Sequence, residues 1–317
     1  MSYDIIGDIH GHADQLISLL QTLGYQHRGG AWRHPSRSVI FVGDFVDRGP
    51  GQLRTLEMVR DMVEAGSARA VMGNHEFNAI AWATPHPAQE GAYLRSRAGP
   101  VGEKNRHQHQ AFLAEVAADG ADHQRWVAWF LELPLWIEEP EFRVVHACWS
   151  PQHADHLRPL LREGERLSVD LVQAASQRGS PEYEAVETLL KGAEVELPDG
   201  HSFTDKDGHH RTAIRIRWWD PTPTTYRAAY IGPAGVDMPD LPLPTSERRP
   251  APDRPTFIGH YWFDPLGPLA PVTHRVACVD FSVAKGGPLV AYRYDGEPEL
   301  SAAKFVAVDV GAEVRRT

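Results

Sequence analysis

The sequence predicts an α/β layered core, and three observations lead there. Strand-like apolar runs alternate with 3.6-period helical stripes through the first 83 residues. Each of the first three strands ends in Gly followed by an acidic or amide residue: Gly7-Asp8, Gly43-Asp44 and Gly73-Asn74. Four further β-rich runs close the chain. At 317 residues the chain can bury a core without disulfide staples. It is read as a single domain over 1–317, with 153–255 as an insertion or cap-like segment.

In order, residues 3–7 read as a strand. Leu16, Leu19, Leu20 and Leu23 then form an i, i+3, i+4, i+7 stripe, predicting a helix over 13–23 that Gly24 ends. "SVIFVG" (38–43) reads as a buried strand. Leu53, Leu56, Val59, Met62 and Val63 mark a second helix closed by Gly66, and "ARAVMG" (68–73) a third strand. A helix is expected over 75–83. Residues 84–106, rich in Pro and Gly, read as loop, with helices to follow near 107–118 and 122–132. "FRVVHA" (142–147) returns as a strand. Helices are expected at 164–177 and 181–191, and a hairpin at 200–219. The Pro-rich stretch 233–255 is an irregular connector. "TFIGHYWF" (256–263), "VACVDFS" (276–282), "GPLVAYRY" (287–294) and "KFVAVDV" (304–310) are the closing strands.

A net charge of −10 weighs against a uniformly basic, sequence-reading nucleic-acid surface. Cys148 and Cys278, the two cysteines, offer neither a disulfide framework nor a zinc spacing. The start lacks the basic and apolar regions of a signal peptide. No apolar run approaches the roughly 18 residues of a membrane span. The expectation is a cytoplasmic protein with no membrane partner; the oligomeric state is left open.

In open α/β sheets ligands gather beyond the carboxyl ends of the strands. Asp8, His10, Asp44, Asn74, His146 and His260 all lie at or just after such ends. That is one dinuclear site's worth of oxygen and nitrogen ligands. Its mixture suits Mn, Fe, Zn or Co better than Ca. Two cations about 3.5–4 Å apart can share a hydroxide and a phosphate, and Asp44 stands where a bridging carboxylate is needed. Arg48, on the same loop, supplies positive charge for phosphoryl oxygens. His75 adjoins Asn74 and can protonate a leaving oxygen, with Asp47 orienting its ring.

The blocks "GDIHGH", "GDFVDRG" and "GNHE" resemble the signature blocks of the calcineurin-like metallophosphoesterases. They resemble most the phosphoprotein-phosphatase branch, which includes bacterial diadenosine-tetraphosphate hydrolases. "VVHACWSP" (144–151) is similar to a later block of that family, with Ala147-Cys148 where the family has two Gly. "IRWWDP" (216–221) and "IGHYWF" resemble two more. The blocks occur in order, which makes the combination far more specific than any one motif.

The resemblance implies two β-sheets packed face to face and flanked by helices, with the site at one edge. It implies two divalent metal ions: Mn first, with Fe, Zn, Co or Ni as alternatives. Asp8 and His10 would hold one, Asn74, His146 and His260 the other, and Asp44 both. It implies hydrolysis of phosphate ester or anhydride bonds by a hydroxide shared between the metals. His75, paired with Asp47, would be general acid, and Arg48 would bind phosphate. The family's second phosphate-binding Arg lacks its usual context here; Arg215, Arg217 and Arg227 are the candidates. The expected substrate is a small nucleotide such as a dinucleoside polyphosphate, with a serine/threonine phosphoprotein as the alternative.

Two rival readings stand beside this one. His10, His12 and Asp14 form H-x-H-x-D, a metal pattern of other hydrolases, but Gln15 occupies the place of its further His. A non-catalytic metal-binding module is the other, against which every chemical position is present. Of the remaining residues, His12 is expected to open a helix and Glu76 to make a structural hydrogen bond. His107 and His109 are expected on an exposed helix start, His209, His210 and Arg211 in a hairpin turn. Trp218, Trp219, Tyr261 and Trp262 are expected to pack, with base stacking as the alternative. Arg95, Arg97, Lys104 and Arg106 read as a solvated loop or a lid over an anionic substrate.

Overall fold

A computed structural model describes residues 2–204, 210–232 and 235–309. The chain opens with β1 (Ser2–Ile6), α1 (Ala13–Leu23), a hairpin of β2 (Gln26–Arg28) and β3 (Ala31–Arg33), β4 (Arg37–Phe41), α2 (Gln52–Glu64), β5 (Ala68–Ala70) and α3 (Asn74–Ala83). α1 buries the predicted Leu16, Leu19, Leu20 and Leu23, and Gly24 ends it in the left-handed conformation at φ 93°. Two helices, α4 (Gly99–Val116) and α5 (Ala121–Phe130), precede β6 (Trp136–Glu138) and β7 (Arg143–Val145). Next come α6 (Pro151–Leu157), α7 (Val169–Ala175), α8 (Pro181–Lys191), β8 (Glu194–Glu196), β9 (Phe203–Thr204), β10 (His210–Arg211), β11 (Ala213–Ile216), α9 (Tyr226–Ala229) and β12 (Tyr230–Ile231). The closing strands are β13 (Thr256–Ile258), β14 (Val276–Cys278), β15 (Leu289–Tyr294) and β16 (Phe305–Val308).

Two sheets carry the fold. One has the order β16-β15-β1-β4-β5, the other β14-β13-β7-β6. β1, β4 and β5 run parallel, as do β7, β13 and β14. Side chains alternate by the two-residue period of a strand. Ile5, Ile40, Val144, Phe257 and Ala277 share one buried cluster drawn from both sheets. Their neighbours Ile6, Phe41, Val145, Ile258 and Cys278 join the other cluster with the helices. The sheets therefore face each other across the first cluster, and helices cover their outer faces.

Three expectations change. The loop read over 84–106 ends at residue 98, because α4 begins at Gly99. Pro100 sits in its first turn, where a missing N–H costs nothing. Gly102 lies so close to Arg97 that an added Cβ would be 2.2 Å from its carbonyl carbon. The helix expected over 164–177 shrinks to Val169–Ala175: Gly164 and Glu165 hold φ of 77° and 62°, and Ser168 caps the start. The short strands β2, β3, β6 and β8 are additional to those the sequence suggested. Among the described residues, no helix is long and apolar enough to cross a membrane.

Candidate metal centre

The parallel strands aim their carboxyl ends at one edge of the two sheets. Asp8 and His10 follow β1, Asp44 follows β4, Asn74 follows β5, His146 follows β7 and His260 follows β13. All six are buried. The backbone here is strained. Among the described residues ten non-glycine positions have φ above zero, and His10, Asp44, Asp47, Arg48, His260 and Trp262 are six of them. Such strain persists where surrounding structure over-determines it, as at functional sites. Gly11 turns the first loop at φ 71°. Gly7 serves differently: it has no positive φ, and an added Cβ would sit 2.0 Å from the Val279 carbonyl oxygen. Its role is close approach between the sheets.

Asp44 is the hub. His10 Nε2 and His75 Nε2 lie 3.7 and 3.8 Å from its Oδ2. His146 Nε2 lies 3.4 Å from its Oδ1. Two donor groups result, His10-Asp44-His75 and Asp44-His146-His260, each with donor atoms within 4.8 Å of one another. Asn74 joins the second: its Oδ1 is 2.7 Å from His260 Nδ1 and 3.2 Å from His146 Nε2. Asp8 stands outside both groups; its Oδ2 accepts the His260 backbone N–H at 3.0 Å.

The rings are set by their partners. His10 Nδ1 donates to the Val46 carbonyl at 2.9 Å, and His146 Nδ1 to the Val42 carbonyl at 2.7 Å. His10 is left with Nε2 as a lone pair, the arrangement a ligating imidazole takes, whereas His146 Nε2 faces the Asn74 and Asp44 oxygens. Burial, aided by His75, pushes His10 down to about 4, so its ring is neutral near pH 7. Burial, together with the Asp280 and Asp44 charges, pushes Asp8 well up. Burial also raises Asp44, but His146, His75 and His10 outweigh it and hold its carboxyl well below the usual range. Asp8 Oδ1, His10 Nε2 and His260 Nε2 are buried without a hydrogen-bond partner. Orphaned buried polar atoms of this kind are costly unless something satisfies them. Carboxylate oxygens and imidazole nitrogens are what first-row divalent cations accept, so these residues fit such ions.

Beside the hub, His75 Nδ1 is 2.5 Å from Asp47 Oδ2. Burial lowers the His75 ring, but Asp44 and Asp47 outweigh it and raise its pKa above the ordinary value. Arg48 is exposed at the mouth, its guanidinium 5.6 Å from the Trp262 ring centre. Lys285 lies 3.9 Å from the same ring centre. Glu76 braces the loop. Its Oε2 accepts the N–H groups of Asp44 and Gly73 at 2.9 and 3.0 Å, and its Oε1 that of Phe45 at 2.8 Å.

The three candidate arginines separate. Arg215 is half-buried, and its charge bears on His260. Arg217 is exposed. Arg227 is turned away to a neighbouring loop, donating to the Met238 carbonyl at 2.8 Å and Asp237 at 3.2 Å. Arg95 is a fourth cation, raised by the nearby Asp47 charge though burial lowers it more. The basic run is anchored: Arg97 stacks 3.5 Å from the Tyr93 ring centre and binds both Asp119 oxygens. His109 corrects an expectation. It is 3 % exposed, and its Nδ1 lies 2.8 Å from Asp47 Oδ1, while His107 is exposed. Sequence reading placed His109 on a surface because nothing local marks which helix face meets the site. His12 precedes α1 without capping it through its side chain. Trp218 packs, donating to Tyr261 Oη at 2.9 Å. His210 and Arg211 form β10; His209 lies outside the described residues.

An asymmetrical bis(5'-nucleosyl)-tetraphosphatase of Halalkalibacterium halodurans is 46% identical over 76 residues, 24% of this chain and 31% of that protein. One from Geobacillus is 49% identical over 76 residues, with the same shares. The chain thus spans about a third of the length of these curated relatives. Among solved structures, a protein serine/threonine phosphatase from Saccharomyces cerevisiae aligns with 98% of this chain and 79% of its own, at 13% identity and a TM-score of 0.48. The calcineurin-like phosphoesterase family model matches residues 1–197, taking in Asp8, His10, Asp44, Asn74 and His146, five of the six residues gathered at the strand ends. With well over half of its length matched and that geometry in place, the chain belongs to the calcineurin-like phosphoesterase family.

Proposed function

We propose that the chain hydrolyses phosphate ester or anhydride bonds at a dinuclear metal centre. The observation that carries this reading is Asp44, one buried carboxylate whose two oxygens face different histidine groups. In this reading Asp8, His10 and Asp44 would hold one ion, and Asp44, Asn74, His146 and His260 the other. Two divalent cations, Mn in preference to Fe, Zn, Co or Ni, would supply polarisation of the phosphoryl oxygens and activation of water. Arg48, with Arg215 as the second cation, holds the non-bridging oxygens in charge-assisted hydrogen bonds. His75 keeps its Nδ1 hydrogen on Asp47 and passes the Nε2 proton to the leaving oxygen. His75 is therefore read as proton donor although its Nε2 falls within the first donor group.

The substrate favoured is a small nucleotide carrying several phosphates, of the dinucleoside polyphosphate class. The bacterial relatives named for that activity support it over 24% of this chain. The several cations beyond Arg48 support it further, and we read 153–255 as a cap that narrows access. A panel of diadenosine polyphosphates, mononucleotides, phosphopeptides and an aryl phosphate, assayed with Mn and then with Fe, Zn, Co and Ni, tests both levels. The expected result is the highest kcat/KM with a diadenosine polyphosphate. Preference for phosphopeptides replaces the substrate with a phosphoprotein. Metal binding without turnover of any probe, with each of the five metals, overturns the enzyme reading.

A further inference from the structure

Asp47 has two carboxylate oxygens, and a different histidine holds each. His75 Nδ1 is 2.5 Å from Oδ2, and His109 Nδ1 is 2.8 Å from Oδ1. All three side chains are buried. Burial pushes the Asp47 carboxyl up, but His109 and His75 outweigh it and hold it well below the usual range. An ionised carboxylate only accepts, so each ring presents an N–H at Nδ1. His109 Nε2 is buried without a hydrogen-bond partner, so the Asp47 contact is the hydrogen bond its ring makes.

The helix that brings His109 also holds the start of α2, just after the Asp47 loop. Glu115, also on α4, accepts the backbone N–H groups of Gln52 and Leu53 at 2.8 and 2.9 Å. Gln52 in turn accepts the Asp47 N–H at 2.7 Å and donates to the Gly49 carbonyl at 2.6 Å. Asp47 sits at φ 70°, a conformation that needs such bracing. His109 itself belongs to neither donor group around Asp44.

We propose that His109 is a positioning residue for the proton donor. By occupying Oδ1 of Asp47 it fixes Oδ2, and through Oδ2 it fixes the His75 ring with Nε2 toward Asp44. The inference rests on the assignment of His75 as proton donor. A proton donor matters most when the leaving oxygen is basic and least when it departs unaided. A residue that only packs the core lowers turnover of both kinds of ester alike. His109 also touches Trp82 and Phe112, so packing and hydrogen bonding have to be separated.

The test uses His109→Phe, which keeps a ring without the donor, and His109→Asn, which keeps a donor near Nδ1. Both are compared with wild type and His75→Ala on phenyl phosphate and 2,4-dinitrophenyl phosphate, with Mn. For His109→Phe, kcat on phenyl phosphate is expected to fall about 10- to 100-fold. On the dinitrophenyl ester it is expected to fall less than about threefold, with KM and bound metal unchanged. His109→Asn is expected to recover most of the loss. An equal loss on both esters, or none on phenyl phosphate, overturns the inference. If His75→Ala shows the leaving-group dependence and His109→Phe does not, the inference fails and the His75 assignment stands. If His75→Ala lacks it too, the assignment itself fails. In the metal-free chain, the Nδ1 proton of His75 should resonate downfield in wild type and His109→Asn and weaken in His109→Phe. An unchanged resonance in His109→Phe also overturns the inference, independently of turnover.

Discussion

His75 Nδ1 lies 2.5 Å from Asp47 Oδ2, while the other nitrogen of the ring, Nε2, stands 3.8 Å from Asp44 Oδ2. One edge of the imidazole is anchored on a carboxylate and the other faces the donor groups. If this ring is the proton donor, His75→Ala lowers kcat by about 10²–10⁴-fold and leaves bound metal intact. Steady-state kinetics beside elemental analysis checks both halves; full activity in the variant removes the assignment.

Asp44 is common to both donor groups. Asp44→Asn is therefore expected to lower the bound-metal stoichiometry and to abolish turnover. His12→Ala, outside both groups, should keep its metal, whereas His10→Ala should not. A metal titration of the three variants separates this centre from the H-x-H-x-D pattern, which requires His12.

Glu76 is fully buried and accepts N–H groups from Asp44, Phe45 and Gly73. Burial and the Asp44 charge push it up to about 7, while its N–H donors favour the ionised form. Glu76→Gln turns an amide NH₂ toward some of those donors. It is expected to cost about 2–4 kcal/mol of stability, read by urea unfolding, and to weaken metal binding by loosening the Asp44 loop.

Far from the centre, Arg143 is buried between Glu138 and Asp253 and stacks 4.7 Å from the Trp149 ring centre. Burial raises both carboxyls, but Arg143, with Arg158 at Glu138 and Arg254 at Asp253, outweighs it: Glu138 is lowered, and Asp253 falls to about 2. Folded pKa values below the unfolded ones mean stability that is present above about pH 4.5 and lost as pH falls toward 2. Both carboxylates are partly exposed, so the effect is modest. Arg143→Met should flatten the fall in Tm between pH 5 and 2 and cost about 1–3 kcal/mol at pH 7.

Burial pushes the Cys148 thiol up to about 12 and Cys278 well above its ordinary value. Neither should react with a disulfide reagent in the native state at pH 8, and both should react after unfolding. Rapid labelling of either native thiol contradicts the placement of these two strand ends.

Much of this molecule was legible as text because its determinants are local. The leucine stripe of α1, its Gly24 cap and the Gly-polar ends of β1, β4 and β5 are set by residues close together in sequence. The start of α4 was not, because a Pro and two Gly carry opposite meanings in a loop and in a first helical turn. The choice among the arginines was not either. Arg215 and Arg227 differ in what they face, and that depends on Met238, Asp237 and His260 rather than on their neighbours.

By itself the sequence determined which chemical groups are present and which strand ends they follow, since strand period and turn chemistry are short-range. Only the tertiary structure decided that the two oxygens of Asp44 look to different histidine groups, and that Asp47 is held by His109 as well as His75. The reason is that hydrogen-bond direction and distance are fixed by the packing of α4 and the two sheets, which joins residues tens to hundreds of positions apart and leaves no mark on the residues beside them.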